Sequence, residues 1–257
     1  MLPQPPCHWT TFIGENSGLA LSLVEAIAYN LIMKHAKSRR QLLAQTVGLS
    51  LVTFGLCMDV FAEEKSDRPD LKAKDWKPLF DGESLKGWMI TDFAGHTVPK
   101  VEDGNLVIPA GLALGGVNVT NAPPKMNFEL TLEAKKIDGN DFFCCLTFPY
   151  GDSYCSFVVG GWGGGIIGIS SVDGMDASEN DTTDYMMFEK NRWYRITVRV
   201  TPKKIETWID EDKMVDLKTT GRKISMRFGE IEESVPLGIA TWMTSAALRD
   251  IRIRKVE

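Results

Sequence analysis

Apolar and polar residues alternate one by one along much of this chain. Phe128, Leu130 and Leu132 alternate with Glu129, Thr131 and Glu133. Tyr194, Ile196, Val198 and Val200 alternate with Arg195, Thr197 and Arg199, and Ile251 and Ile253 with Asp250, Arg252 and Arg254. A period of two belongs to half-buried strands with one face in a core. Residues 141–148 (DFFCCLTF) are apolar on both faces, which predicts a central strand covered on each side. Turn-forming pairs punctuate the pattern at Asp81-Gly82, Asp103-Gly104, Asp138-Gly139, Gly151-Asp152 and Asp173-Gly174. Short strands so punctuated predict an antiparallel sandwich. From Trp76 onward the pattern holds no helix beyond single turns and no internal repeat. We expect residues 76–257 to form one all-β domain, a two-sheet antiparallel sandwich.

The N-terminal part follows another rule. A basic segment, Met33 to Arg40, precedes an apolar run from Leu42 to Ala62 that ends in Val60-Phe61-Ala62 before Glu63-Glu64. That is the layout of a secretory signal with cleavage after Ala62. Ser38-Arg39-Arg40-Gln41-Leu42-Leu43 is similar to a twin-arginine signal, which exports folded proteins. We therefore expect residues 33–62 to be a signal peptide, 63–75 a charged linker, and 1–32 an extension upstream of a true start at Met33. The exported domain would be periplasmic or extracellular. Gln45 and Asp59 interrupt the apolar run, so no stable membrane insertion is expected after cleavage.

One segment breaks the alternation inside the domain. Residues 160–180 (GGWGGGIIGISSVDGMDASEN) contain GxGxxG at Gly163, Gly165 and Gly168. A phosphate-binding loop needs a strand before and a helix after. Here strands are expected on both sides, so the glycines predict a wide hairpin end in which backbone turns at positive φ. Trp162 at its tip either folds over the sandwich end or offers a flat apolar platform of the kind sugar rings stack on.

Composition narrows the chemistry. The formal net charge is −5, and no run of Lys and Arg is interleaved with aromatics, which argues against nucleic acid. Removing residues 1–62 leaves His96 as the last histidine and Cys144, Cys145 and Cys155 as the last cysteines. Zinc sites built from several histidines or four cysteines are thereby excluded from the domain. In an oxidising compartment Cys155 either bridges to Cys144 or Cys145 across a turn, or all three are buried free thiols.

A family resemblance rests on Trp76-Lys77-Pro78-Leu79-Phe80-Asp81-Gly82-Glu83-Ser84-Leu85-Lys86-Gly87-Trp88. This string resembles the opening motif W-x-x-L-F-(D/N)-G-x-x-L-x-G-W of the 3-keto-disaccharide hydrolase family. Glu102-Asp103-Gly104-Asn105-Leu106, Phe128-Glu129-Leu130, Asn191-Arg192-Trp193-Tyr194 and Leu248-Arg249-Asp250-Ile251-Arg252-Ile253 follow in the family's order. The resemblance covers residues 76–257. It implies a concanavalin A-like jelly roll with a carbohydrate ligand, and lyase, hydratase or hydrolase action on 3-keto-glucosides, in some members with a metal. The chain departs from the pattern in one place. The family commonly carries an Asn-Ser-Gly strand and then G-x-E-x-Q on the next, where this chain reads DFFCCLTFPYGDSYCSFVVGG.

Candidate chemistry gathers after the glycines at Asp173, Asp176, Glu179 and Asn180, with Asp181 and Asp184 beyond. Crowded carboxylates either raise one another's pKa or share a divalent cation. A keto group at C3 acidifies the C2 proton, so cleavage needs one base and one electrophile. The expected base is Asp176, Glu179 or His96, and the electrophile a divalent metal ion or Arg195. Trp162, Asp173, Asn180, Arg195 and Trp242 are the expected substrate-binding residues. The alternative is a non-catalytic carbohydrate-binding module on the same scaffold.

Overall fold

The alternation becomes two stacked antiparallel sheets in a computed structural model, which describes residues 67–257. The extension, the signal, Cys7, Cys57 and residues 63–66 of the linker lie outside the described residues. The first strands are β1 (Lys77–Pro78), β2 (Trp88–Ile90), β3 (Lys100–Glu102), β4 (Asn105–Ile108) and β5 (Leu114–Val119). There follow β6 (Phe128–Asp138), β7 (Cys144–Tyr150), β8 (Ser153–Gly161), β9 (Ile166–Ser170) and β10 (Asp184–Tyr185). The last are β11 (Tyr194–Thr201), β12 (Lys204–Ile209), β13 (Asp212–Lys218), β14 (Gly238–Trp242) and β15 (Ser245–Lys255). One 3₁₀ turn, Glu230–Ser234, precedes β14.

The first sheet runs β13-β12-β11-β6-β15-β4-β3, with β1 also on β15; the second runs β10-β9-β8-β7-β14-β5-β2. The chain crosses between sheets at β1–β2, β2–β3, β4–β5, β5–β6, β6–β7, β10–β11, β13–β14 and β14–β15, as in a jelly-roll sandwich. Phe128, Leu130, Leu132 and Ala134 of β6 face Phe157 and Val159 of β8 and Ile239 of β14 in one apolar core. β7 is the middle strand of the second sheet and is buried on both faces, as residues 141–148 predicted. No helix among the described residues is long and apolar enough to cross a membrane.

The three cysteines are free and buried. Register explains why none is bridged. Cys155 stands opposite Phe148, whereas Cys144 and Cys145 stand opposite Val159 and Val158. Burial pushes the Cys144 and Cys155 thiols well above the ordinary range.

Candidate functional site

The outward face of the second sheet is laid out in transverse rows. Register aligns Ser170 with Ser156, Ser156 with Thr147, Thr147 with Gly238, and Gly238 with Asn118. The next row holds Gly168, Val158, Cys145, Ala240 and Gly116. A polar row thus lies beside an apolar one, and Trp242 and Leu114 form a pair beyond the latter.

Both margins of this face are covered, and glycines permit it. A Cβ on Gly168 would lie 2.8 Å from the Ala177 carbonyl oxygen. One on Gly116 would meet the Phe93 ring at 3.0 Å. The 173–183 loop therefore sits down on one margin, and Phe93 with the 3₁₀ turn on the other. Between them a trough of about 470 Å³ stays open, within the range of roughly 300–1,000 Å³ that encloses small ligands.

Asp176 marks the polar corner. Its Oδ1 accepts from Ser170 Oγ at 2.5 Å and from the Ala177 amide at 2.8 Å, and Arg227 Nη1 lies 2.6 Å from Oδ2. The Arg227 guanidinium also sits 5.8 Å from the centre of the Trp162 ring. Trp162 is 43% exposed on the glycine-built hairpin end, at φ +48°. That hairpin joins β8 to β9, strand to strand, as its glycines predicted. Asp141 fixes it from below: its carboxylate accepts from the Phe142 amide at 2.8 Å and the Gly163 amide at 3.2 Å.

The apolar end is lined by Leu114, Cys145 and Val158, with Phe142 and Ile231 packed against them and Ala240 closed off beneath. Trp242, 38% exposed, stands over it with its ring 6.4 Å from that of Phe142 and tilted by 46°. Burial pushes the Cys145 thiol up to about 12, with the Ser156 hydroxyl acting the other way. It is a neutral thiol at physiological pH and no nucleophile. Phe228, 94% exposed, and Glu230 stand at the rim. Glu230 has no hydrogen bond or ion pair with any described residue.

Of the residues expected from the sequence, the trough gathers Asp176, Trp162 and Trp242. Glu179 is exposed beside it, with Oε2 3.5 Å from the Asp176 amide. Asn180 is buried under the loop and fully used there. Its Nδ2 donates to the carbonyls of Ile169, Met175 and Asp176, and its Oδ1 accepts from the amide and hydroxyl of Thr182. Asp173 points away to Arg222 (2.5 Å), which also grips Asp181 in a bidentate pair. The Lys223 amide and Arg222 hold the Asp173 carboxyl below the usual carboxylate range. His96 is half-buried outside the trough lining, its Nδ1 donating to the Phe93 carbonyl at 2.6 Å. Arg195 lies on the outward face of the other sheet, between Glu133 (3.0 Å) and Asp250 (2.7 Å).

The sequence also left room for a divalent cation. Among the described residues no three His, Cys, Asp or Glu side chains are gathered to hold one. Asp176 already faces a guanidinium, which would repel a cation bound beside it. The residues present do not fit a metal.

Sequence reading passed over Arg227, Phe228, Glu230, Phe142, Ser156 and Ser170. The Arg-Phe-Gly-Glu run carried a weak signal, an aromatic beside a glycine with no strand period around it. In the structure Gly229 sits there at φ +123° and starts the 3₁₀ turn.

Several solved structures align with this chain at low identity. A carbohydrate-binding module from Bacillus subtilis aligns at 10% identity over 66% of this chain and 96% of its own, with a TM-score of 0.45. A glycosyl hydrolase, so described, from Parabacteroides distasonis aligns at 12% identity over 72% and 96%, with a TM-score of 0.48. No curated protein matches the chain. Residues 75–254 match the 3-keto-alpha-glucoside-1,2-lyase-like domain, nearly the whole of the sandwich, and the chain belongs to that carbohydrate-active family.

Proposed function

We propose that this is an exported protein that cleaves a glucoside already oxidised at C3, using the trough on the second sheet. One observation carries the reading. Three carboxylates line that trough, and two of them, Asp141 and Asp176, are occupied by protein donors while Glu230 is not. Beside them Arg227 spends only one side of its guanidinium on Asp176 and keeps 57% of its side chain exposed.

The sugar ring lies over the polar row with its apolar face on Trp162, and Ser156 and Ser170 serve its hydroxyls. Arg227 holds the C3 carbonyl oxygen, where charge develops as the enolate forms. Glu230 takes the C2 proton. The C2–H electron pair becomes a C1–C2 double bond, the C1–O bond breaks, and the aglycone leaves as its alcohol with the proton that Glu230 took. Water then adds across the double bond to give free 3-keto-glucose. Asp176 orients Arg227 throughout and takes no proton.

The test is release of aglycone from 3-keto-glucosides by the full chain, with and without a chelator. Turnover that ignores the chelator and disappears in Glu230→Gln is expected. Turnover that the chelator stops would sink the metal-free route. A second reading, the non-catalytic carbohydrate-binding module, is favoured by the floor itself. Cys145 occupies the strand in which the family pattern carries Asn-Ser-Gly, and Ser156 and Val158 the next, in which it carries Glu and Gln. Binding by calorimetry without turnover would select it.

A further inference from the structure

The trough is longer than one sugar ring needs, and its second half has a different chemistry. Ser156 and Val158 are two residues apart on β8 and point the same way, so the polar and apolar rows lie about 7 Å apart. That is the offset between a sugar ring and a ring linked to it through one glycosidic oxygen. Whatever is attached at C1 of a sugar held at Asp176 and Arg227 falls over Cys145 and Val158, between Leu114 and the Phe142–Trp242 pair.

We propose that this half is an aglycone subsite for a flat aromatic group, so that the substrate is an aryl 3-keto-glucoside; this rests on the function proposed above. The argument is one of unanswered polar groups. A second sugar here would bury hydroxyls against Leu114, Val158 and Ile231, which offer no partner. The Asp141 carboxylate beside Phe142 is already occupied by the Phe142 and Gly163 amides. The Cys145 sulfur is a weak partner at best. An aromatic group loses nothing on that floor. The Phe142 and Trp242 rings, 6.4 Å apart and tilted by 46°, offer aromatic surface on which a third ring packs edge to face. The backbone fixes the pair, because the Trp242 amide donates to the Phe142 carbonyl at 3.1 Å and the Met243 amide to the Ala113 carbonyl at 2.9 Å. A phenolic leaving group also departs more readily than a sugar hydroxyl in the elimination proposed above.

The experiment measures Kd by calorimetry for phenyl, methyl and glucosyl 3-keto-glucosides, and for phenol, on the full chain carrying Glu230→Gln so that ligands persist. The phenyl compound should bind about tenfold more tightly than the methyl one, a gain of the size that aromatic packing supplies. The glucosyl compound should show no such gain. Trp242→Ala should shrink the phenyl-to-methyl ratio toward one. Phe142→Leu, which keeps an apolar side chain in the trough wall and removes the other ring of the pair, should do the same and guards against a misfolded Trp242 variant. Equal binding of phenyl and methyl compounds, or tighter binding of the glucosyl one, overturns the aromatic subsite and leaves the sugar site standing. Binding of phenol without any 3-keto-glucoside overturns the sugar site and leaves the aromatic half. If none of the four binds, both fall.

Discussion

The two outward faces of this sandwich are both rich in polar side chains, and only one of them is open. On the first sheet, register sets Arg199, Glu129 and Arg254 in one row and Arg195, Glu133 and Arg249 two rows on, with Thr197, Thr131 and Arg252 between. Glu129 accepts from Arg199 Nε at 2.6 Å and from Arg254 Nε at 2.5 Å, and Glu133 from Arg249 Nε at 2.6 Å. Residues 67–76 then lie across these rows. Asp67 reaches Arg199 and Lys213, Asp75 reaches Arg254, and Trp76 is capped by Arg252 and Arg254. Trp208 is shut beneath Arg199 and Lys213 in the same way. On the second sheet the charges are fewer, and Glu230 and half of Arg227 go unanswered while three aromatic rings stand exposed. Charge density alone does not carry the proposed site. Exposed, unanswered charge beside bare aromatic surface does.

The largest effect expected from breaking this contrast is on stability. Glu129 is 1% exposed between two arginines, so Glu129→Ala strands two partly buried guanidinium groups. The expected loss is about 3–5 kcal/mol, read from the denaturant midpoint. A loss below about 1 kcal/mol would show that water reaches this face and that it is not sealed. Next in size, Glu230→Gln should lower kcat by roughly 10²–10⁴-fold and leave stability within about 0.5 kcal/mol. A merely twofold fall in kcat would remove Glu230 from the chemistry.

The sealed face was legible in the chain and its sealing was not. Alternation put Arg195 and Arg199 on one polar face with Glu129 and Glu133. Nothing in a period of two says which outward face a distant segment will cover, and so Arg195 reads as a ligand residue until residues 67–76 are seen above its sheet. Asn180 misleads for a related reason. An amide in an acidic loop reads as ligand-binding, yet all its hydrogen-bonding capacity can turn inward, as five bonds do here. The glycine-built hairpin and its tryptophan were legible because positive φ and a bulky residue between glycines each have few explanations. Residues 222–236 lack a period. Their place over the trough comes from the 3₁₀ turn resting on β5 and β14, a long-range contact that no local pattern encodes.

Smaller effects sharpen the comparison inside the open face. Trp162→Ala should weaken sugar binding about tenfold, since the ring supplies a stacking face and little of the core. Equal affinity in the variant would move the sugar off the hairpin end. The smallest effect concerns Arg222 and Arg227, which lie five residues apart and both meet the acidic loop. Arg222 is answered twice, by Asp173 and Asp181, and holds the Asp181 carboxyl below the usual range. A carboxyl whose folded-state pKa is depressed adds stability above its unfolded value near 3.9, and that contribution is lost as pH falls through the lower folded value. The loop should therefore loosen only below about pH 4, and less steeply with pH in Asp181→Asn. Amide exchange of residues 173–183 between pH 5 and 3 at low salt reads this directly. Loosening already at pH 5 would mean that Arg222 does not hold the loop, and the difference between a satisfied and a half-satisfied arginine would lose its meaning. If the loop holds as expected, Arg227 is the one guanidinium at this loop with capacity to spare, which is the property a ligand-binding cation needs.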